Sequence, residues 1–121
     1  MKTPPFQLHM PSTVEEAVEL SQAFHSNGES ADWIAGGTDL LPNYKWHINT
    51  KPHVISLAKV EGLATISMTK IGAMARLYDI VNSTEVHPLI SEAASKVASS
   101  LIQRNATLGG NICLDTRCFW F

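Results

Sequence analysis

Two glycine pairs are the features of this sequence best suited to chemistry, because each stands beside a threonine hydroxyl. The first glycine motif is Ala35-Gly36-Gly37-Thr38-Asp39-Leu40, and the second glycine motif is Thr107-Leu108-Gly109-Gly110-Asn111. Glycine lacks a Cβ and adopts positive φ, so successive backbone N–H groups can converge on an anion. The two motifs therefore predict loops that hold the two phosphates of a dinucleotide from both sides.

Either glycine pair alone is also compatible with an ordinary tight turn between a strand and a helix. Neither pair is a Rossmann fingerprint, because Gly-x-Gly-x-x-Gly is absent, and neither is a P-loop, because no Gly-Lys-Ser/Thr occurs. The repetition of the same chemistry later in the chain is what favours a binding site. Asp39 could cap a helix, bind a ribose hydroxyl or assist a turn, and capping is placed first because its charge would be unfavourable beside a pyrophosphate.

The apolar pattern predicts alternating strands and helices around the first glycine motif. A helix is predicted from Ser12 or Thr13 to Asn27-Gly28, and a short helix is predicted to begin near Thr38. Strands are predicted at 6–10, 32–35 and 52–57. This order favours a small three-stranded parallel sheet with right-handed crossovers and flanking helices.

The pattern changes after Glu61-Gly62, where two short strands at 64–67 and 70–73 predict a hairpin. Helices are predicted at 74–81 and at about 89–103, the second rich in small residues. The predicted fold class is α+β (mixed α/β), a small parallel sheet followed by the start of an antiparallel subdomain. The predicted division of the chain is 1–60 and 61–121.

Composition excludes several classes of protein. The chain has 121 residues, 45% of them hydrophobic and 17% charged, with a formal net charge of -2, as expected for one soluble globular domain. The nine Lys and Arg residues are scattered, which argues against a nucleic-acid partner. No apolar stretch approaches the ~18 residues of a membrane span. With no signal-peptide core and only Cys113 and Cys118 as cysteines, a cytoplasmic location is expected.

No catalytic side chain is predicted. The five histidines do not form an i, i+4 pair, and no Ser/His/Asp, Cys/His or paired-carboxylate arrangement emerges. Any role in an enzyme would therefore depend on a bound cofactor.

The motifs together resemble the flavin subunit of the molybdenum hydroxylases, the group of the xanthine dehydrogenase and carbon monoxide dehydrogenase medium subunits. The resemblance is carried by Ala-Gly-Gly-Thr-Asp-Leu-Leu-Pro at 35–42, Ile-Gly-Ala at 71–73 and Ala-Thr-Leu-Gly-Gly-Asn-Ile-Cys at 106–113. It implies a truncated PCMH-type fold that binds FAD, with a molybdenum-cofactor subunit and a [2Fe–2S] subunit as partners in electron transfer. The implied FAD-binding residues are Ala35, Gly36, Gly37, Thr38, Asp39, Leu40, Thr107, Leu108, Gly109, Gly110 and Asn111.

The segment Cys113-Leu114-Asp115-Thr116-Arg117-Cys118 most closely resembles the β subunit of 4-hydroxybenzoyl-CoA reductase, a branch whose inserted loop carries an extra [4Fe–4S] cluster. By that resemblance, Cys118 would be the first cluster ligand and the others would lie beyond Phe121. In the chain as given, free thiols are favoured over a cross-chain disulfide or a shared metal, because a tetrahedral site needs four ligands. The family's Ile-Arg-Asn-x-Ala-Thr pattern is shifted here, which leaves the roles of Arg104 and Asn105 open.

The aromatic end at Phe119-Trp120-Phe121 predicts either an interrupted chain or rings that fold back onto a core. The family members are more than twice as long, so the sequence is expected to be the N-terminal portion of a flavin subunit and inactive by itself. The alternative is a truncated domain without flavin, acting as a binding or structural module that forms a homodimer through this aromatic end.

Overall fold

A three-stranded parallel sheet organises the first part of the chain. In the computed structural model, which describes residues 2–120, the strands are β1 (Gln7–His9), β2 (Ala31–Ile34) and β3 (His53–Ser56). β3 lies between β1 and β2, and both pairings are parallel. All four residues of β3 are buried, as expected for a central strand covered on both faces. The predicted parallel sheet is confirmed.

Two helices connect these strands, namely α1 (Val14–Ser26) and α2 (Leu40–Lys45). Thr13 caps α1 by accepting a hydrogen bond from the Glu16 amide at 3.1 Å, while the Glu16 carboxylate accepts one from the Ser12 amide. Not every apolar side chain of α1 is covered, because Val14 and Val18 are exposed. Ala17, with Leu20 and Phe24, packs instead against Ile55 of β3.

Within the described residues, four helices of at most eight residues follow the sheet: α3 (Leu77–Val81), α4 (Pro88–Ser95), α5 (Ser100–Gln103) and α6 (Leu108–Ile112). The prediction of one helix over 89–103 is wrong. The helix ends after Ser95, Ala98 takes a positive φ of 51°, and Ser99 caps a new helix. The side-chain amide of Gln103 donates to the carbonyls of Ser95 and Val97, which satisfies the backbone at the break.

Two further predictions in this region are corrected. The helix predicted at 74–81 begins only at Leu77, because the Met74 amide donates to the Leu63 carbonyl and the Leu77 amide to the Ala106 carbonyl. The hairpin predicted at 64–67 and 70–73 is reduced to one antiparallel bridge between Ile66 and Ile71. The segments around this bridge are joined by backbone hydrogen bonds from Ser67 to the Lys70 carbonyl and from Gly72 to the Thr65 carbonyl, without forming regular strands.

Buried apolar side chains form two clusters. One joins the sheet to α1 through Ala17, Ile55 and Val60. The other joins α3, α4 and the segment before α6, and its buried members are Ala75, Leu77, Ile80, Val86, Ala94 and Ala106. Among residues 2–120, no helix is long and apolar enough to cross a membrane.

Candidate functional site

The two glycine motifs lie against each other in the folded chain. A Cβ built on Gly36 would be 1.9 Å from the carbonyl oxygen of Asn105, just before the second motif. A Cβ built on Gly110 would be 3.6 Å from the Cβ of Ala35 in the first motif. The absence of a side chain at Gly36 allows two segments that are distant in sequence to approach this closely, whereas the distance at Gly110 is an ordinary van der Waals contact.

The first glycine motif offers backbone donors. It follows β2 directly and leads into α2, and Gly37 has the positive φ of 75° expected for such a turn. Within the part of the chain that the structure describes, the amides of residues 36–39 have no protein acceptor. Gly36 and Thr38 are both exposed. Consecutive amides without an internal partner are the kind of surface that binds a phosphate group.

The second glycine motif is not a loop, which corrects the sequence-based expectation. Thr107 caps α6 by accepting a hydrogen bond from the Gly110 amide at 3.1 Å, and residues 108–111 lie inside the helix. Their amides are already used, since that of Leu108 donates to the Ala75 carbonyl at 2.9 Å and that of Gly109 to the Ala73 carbonyl at 2.8 Å. The contribution of this motif to the site is therefore close packing, and its predicted contact with a ligand stays a prediction.

A cleft of about 420 Å³ lies beside the two motifs. Ala35 and Gly36 of the first motif line one side of the cleft. Thr107 of the second motif and Asn105, just before it, line the other side. It opens where β2 and β3 end, because the segments that follow both strands contribute to its wall. The carboxyl edge of a parallel sheet is the common position for a nucleotide cofactor.

Sequence reasoning missed several cleft residues. Leu57 and Ala58 follow β3 directly, and their position after a predicted strand could have identified them. Arg76 and Asp79, at the start of α3, also line the cleft. No sequence signal identified these two, because their placement depends on the contact between α3 and the segment before α6.

Asp39 stands at the N-cap position of α2, but its side chain makes no capping hydrogen bond, so that prediction is wrong. Its Oδ2 atom accepts a hydrogen bond from Asn43 Nδ2 at 2.9 Å. Its Oδ1 atom forms an ion pair with Arg117 Nη2 at 2.8 Å, and Arg117 Nη1 donates to Asn43 Oδ1. Asp39, Asn43 and Arg117 thus form a closed polar triangle next to the first glycine motif.

A second polar network fixes α2 onto the sheet. The buried Tyr44 hydroxyl donates to Asp32 Oδ2 at 2.7 Å and accepts from the Lys51 amide at 3.2 Å. Lys51 Nζ pairs with the other Asp32 oxygen at 2.6 Å. Burial and the hydrogen bond to Asp32 raise the pKa of Tyr44 to about 12. The network holds the helix that follows the first glycine motif against β2.

The remaining candidate residues do not join this site. Cys113 and Cys118 are exposed free thiols. Within residues 2–120, no group of three His, Cys, Asp or Glu side chains could hold a metal ion, so the ligand role of Cys118 stays a prediction. His53 Nε2 contacts Glu29 and its Nδ1 lies 3.2 Å from His9 Nε2, but His53 begins β3, at the opposite end of the sheet from the first glycine motif.

Comparison with known proteins identifies the class. The family described as the FAD-binding domain in molybdopterin dehydrogenase matches residues 4–118. This chain belongs to that family.

Relatives in this family are considerably longer. The chain is 34% identical to the carbon monoxide dehydrogenase medium chain of Hydrogenophaga pseudoflava, over 93% of this chain and 40% of that protein. It is 31% identical to the nicotine 6-hydroxylase medium subunit of Paenarthrobacter nicotinovorans, over 93% of this chain and 41% of that protein. The chain thus spans about two fifths of the length of these relatives.

Solved structures of the same class share the fold. The carbon monoxide dehydrogenase of Hydrogenophaga pseudoflava superposes with a TM-score of 0.80 at 31% identity, covering 93% of this chain and 40% of that chain. The reconstituted carbon monoxide dehydrogenase of Oligotropha carboxidovorans superposes with a TM-score of 0.83 at 28% identity, covering 92% and 40%. The mixed α/β architecture with its small parallel sheet is therefore that of the flavin-binding chains of these enzymes.

Proposed function

We propose that this chain binds FAD as the flavin-binding part of a molybdenum-hydroxylase-type oxidoreductase. The observation that carries the proposal is the packing of Gly36 against Asn105, which joins the two glycine motifs beside a cleft. The residues fit a pyrophosphate, because the amides of residues 36–39 have no acceptor among the described residues and no side chain on Gly36 or Gly37 blocks them.

Each motif has a distinct role in this proposal. The backbone from Ala35 to Leu40 and the Thr38 hydroxyl would hold the pyrophosphate. Thr107 of the second motif would form part of the facing wall together with Asn105, since both line the cleft. A contact of FAD with Leu108 to Asn111 stays a prediction. When bound, FAD supplies the electron-transfer chemistry, while this chain's residues bind and orient it.

The partners follow from the resemblance and from the names of the relatives, several of which are medium chains or subunits of larger enzymes. We expect a molybdenum-cofactor subunit and a [2Fe–2S] subunit, and no dehydrogenase activity from this chain alone. The finer assignment to a 4-hydroxybenzoyl-CoA reductase type, with a [4Fe–4S] cluster on Cys118, rests on Cys113 to Cys118 alone. The cytoplasmic location likewise stays a prediction.

The division into 1–60 and 61–121 is part of the same proposal. It is supported by the two apolar clusters, one around Ile55 and one around Ile80. FAD would lie at the boundary, where the first glycine motif meets the residues before the second.

A flavin titration tests this function. Quenching of flavin fluorescence by the full chain should saturate with FAD, and FMN should bind at least about tenfold more weakly because it lacks the pyrophosphate bridge and the adenosine. Thr38→Val keeps the side-chain shape but removes the hydroxyl, so it should weaken FAD binding by about fivefold. Thr84→Val, an exposed threonine outside both motifs, is the matched control and should bind FAD as the unmodified chain does.

Equal affinity for FAD and FMN would contradict a site built on the pyrophosphate. Absence of saturable FAD binding would favour the alternative, a flavin-free module. Gel filtration would then be expected to show a homodimer, because Phe119 and Trp120 expose nearly their whole side chains.

A further inference from the structure

The carboxylate of Asp39 creates an electrostatic problem for the proposed flavin site. It directly follows Thr38, whose amide and hydroxyl would contact the pyrophosphate. A carboxylate and a pyrophosphate repel each other, and the repulsion weakens FAD binding unless a cation neutralises the carboxylate.

Arg117 neutralises it. Its Nη2 atom lies 2.8 Å from Asp39 Oδ1, and its Nη1 atom donates to Asn43 Oδ1, so both arms of the guanidinium are engaged. Asn43 Nδ2 donates a hydrogen bond to the other carboxylate oxygen, Asp39 Oδ2, at 2.9 Å. Every oxygen of this carboxylate therefore has a donor supplied by the protein.

The Asp39–Arg117 ion pair also joins the first glycine motif to the segment that follows the second. Asp39 belongs to the first motif, and Arg117 lies on the segment that follows α6, which begins with the second motif. The Gly36–Asn105 contact and the Asp39–Arg117 ion pair therefore connect the same two parts of the chain at two separate places. Motion of one motif away from the other must break both.

We propose that Arg117 is a positioning residue of the flavin site, which neutralises the Asp39 carboxylate beside the first glycine motif. This inference rests on the proposed function. Arg117 acts through Asp39 and not by direct contact with the cofactor, which separates it from the backbone donors of residues 36–39.

A double-mutant cycle on the full chain tests it, with FAD fluorescence quenching as the measurement. Arg117→Gln should raise the FAD dissociation constant by about fivefold at low salt, because the carboxylate and the guanidinium are both partly exposed and partly screened. Asp39→Asn removes the repelling carboxylate, and its FAD dissociation constant is the reference against which the Arg117 replacement is measured in that background. The double variant Asp39→Asn, Arg117→Gln should recover the affinity of the unmodified chain, because the repelling charge is gone.

Three controls separate charge from folding. Lys96→Gln removes one positive charge at the end of α4 and should leave FAD binding unchanged. Arg117→Lys keeps the charge but not the two-armed geometry, so it should bind FAD more tightly than Arg117→Gln. The loss in Arg117→Gln should shrink as salt is raised, because salt screens exposed charges, whereas a folding defect would persist.

The outcomes separate this inference from the proposed function. FAD binding that is unchanged in Arg117→Gln overturns the role of Arg117 and leaves the flavin assignment intact. A double variant as weak as Arg117→Gln shows that Arg117 does not act through Asp39 and also overturns the inference. No FAD binding by the unmodified chain overturns both.

Discussion

Replacement of Gly36 by alanine is expected to lower FAD affinity by about a hundredfold and to lower the free energy of unfolding by about 3 kcal/mol. The new Cβ would be 1.9 Å from the Asn105 carbonyl oxygen and 2.7 Å from its carbon. Both are backbone atoms, so no side-chain rotation relieves the overlap. The segment before the second glycine motif must move away, and the cleft that it lines must change shape.

Gly62→Ala is the matched control. Gly62 has a positive φ of 80°, but beyond its chain neighbours no atom of residues 2–120 lies within 4 Å of an added Cβ. Alanine there should cost about 1 kcal/mol through backbone strain and leave FAD affinity unchanged. Gly36→Ala thus measures the effect of steric overlap, and Gly62→Ala measures the effect of an unfavourable backbone conformation without overlap.

Urea unfolding and flavin titration of both variants give the answer. If Gly36→Ala binds FAD like the unmodified chain, FAD binding does not need the contact between Gly36 and Asn105. That contact would then no longer support the proposed function. If Gly62→Ala also loses FAD binding, the effect in Gly36→Ala would reflect general destabilisation instead of local geometry.

The sheet and the first glycine motif could be predicted from sequence because the deciding interactions are local. Alternating strands and helices with short connections favour parallel pairing, and β1, β2 and β3 all lie within the predicted ranges or overlap them. The turn at Gly37 follows from the conformational freedom of glycine. Neither feature requires knowledge of distant residues.

The second glycine motif could not be interpreted correctly in the same way. Its pattern matches that of the first motif, but the amides of Leu108 and Gly109 are taken by the carbonyls of Ala75 and Ala73, which are distant in sequence. Arg117 was seen only as part of a cysteine segment, because its partner Asp39 is 78 residues away. The break at Ala98 lacked a glycine or proline signal and depends on the tertiary bonds of Gln103.

Tyr44→Phe is expected to lower the free energy of unfolding by about 2 kcal/mol at neutral pH. Tyr44 is 1% exposed, and the loss of its hydroxyl removes the hydrogen-bond donor to Asp32 Oδ2 and the acceptor of the Lys51 amide. The ring volume is retained, and the edge-to-face contact with Phe6, at 5.5 Å between centroids, should persist. The loss therefore measures the polar network rather than the packing.

The same residue predicts a pH dependence. Burial, followed by the hydrogen bond to Asp32, raises the pKa of Tyr44 from 10.0 to about 12, so the folded chain holds the phenol proton more tightly than the unfolded chain does. A raised pKa contributes stability that is fully present below pH 10 and lost as pH rises toward 12. The unmodified chain should lose about 2 kcal/mol across that interval from this group.

Urea unfolding at neutral pH and at about pH 12 measures this step, the alkaline loss in the free energy of unfolding. Tyr44→Phe should lack it. Tyr78→Phe, at the other tyrosine, keeps Tyr44 and should retain the step. A step of equal size in Tyr44→Phe would assign the alkaline loss to another group.

The Tyr44 network matters to the flavin site because α2, which directly follows the first glycine motif, is attached both to β2 and to the segment that contains Arg117. Tyr44 attaches α2 to β2 through its hydrogen bond to Asp32. At the start of α2, Asp39 and Asn43 contact Arg117. If Tyr44 holds the first glycine motif in place, raising the pH through the pKa of Tyr44 should weaken FAD binding in the unmodified chain more than in Tyr44→Phe. Equal weakening in the two proteins would mean that the position of α2 does not control the amides of residues 36–39.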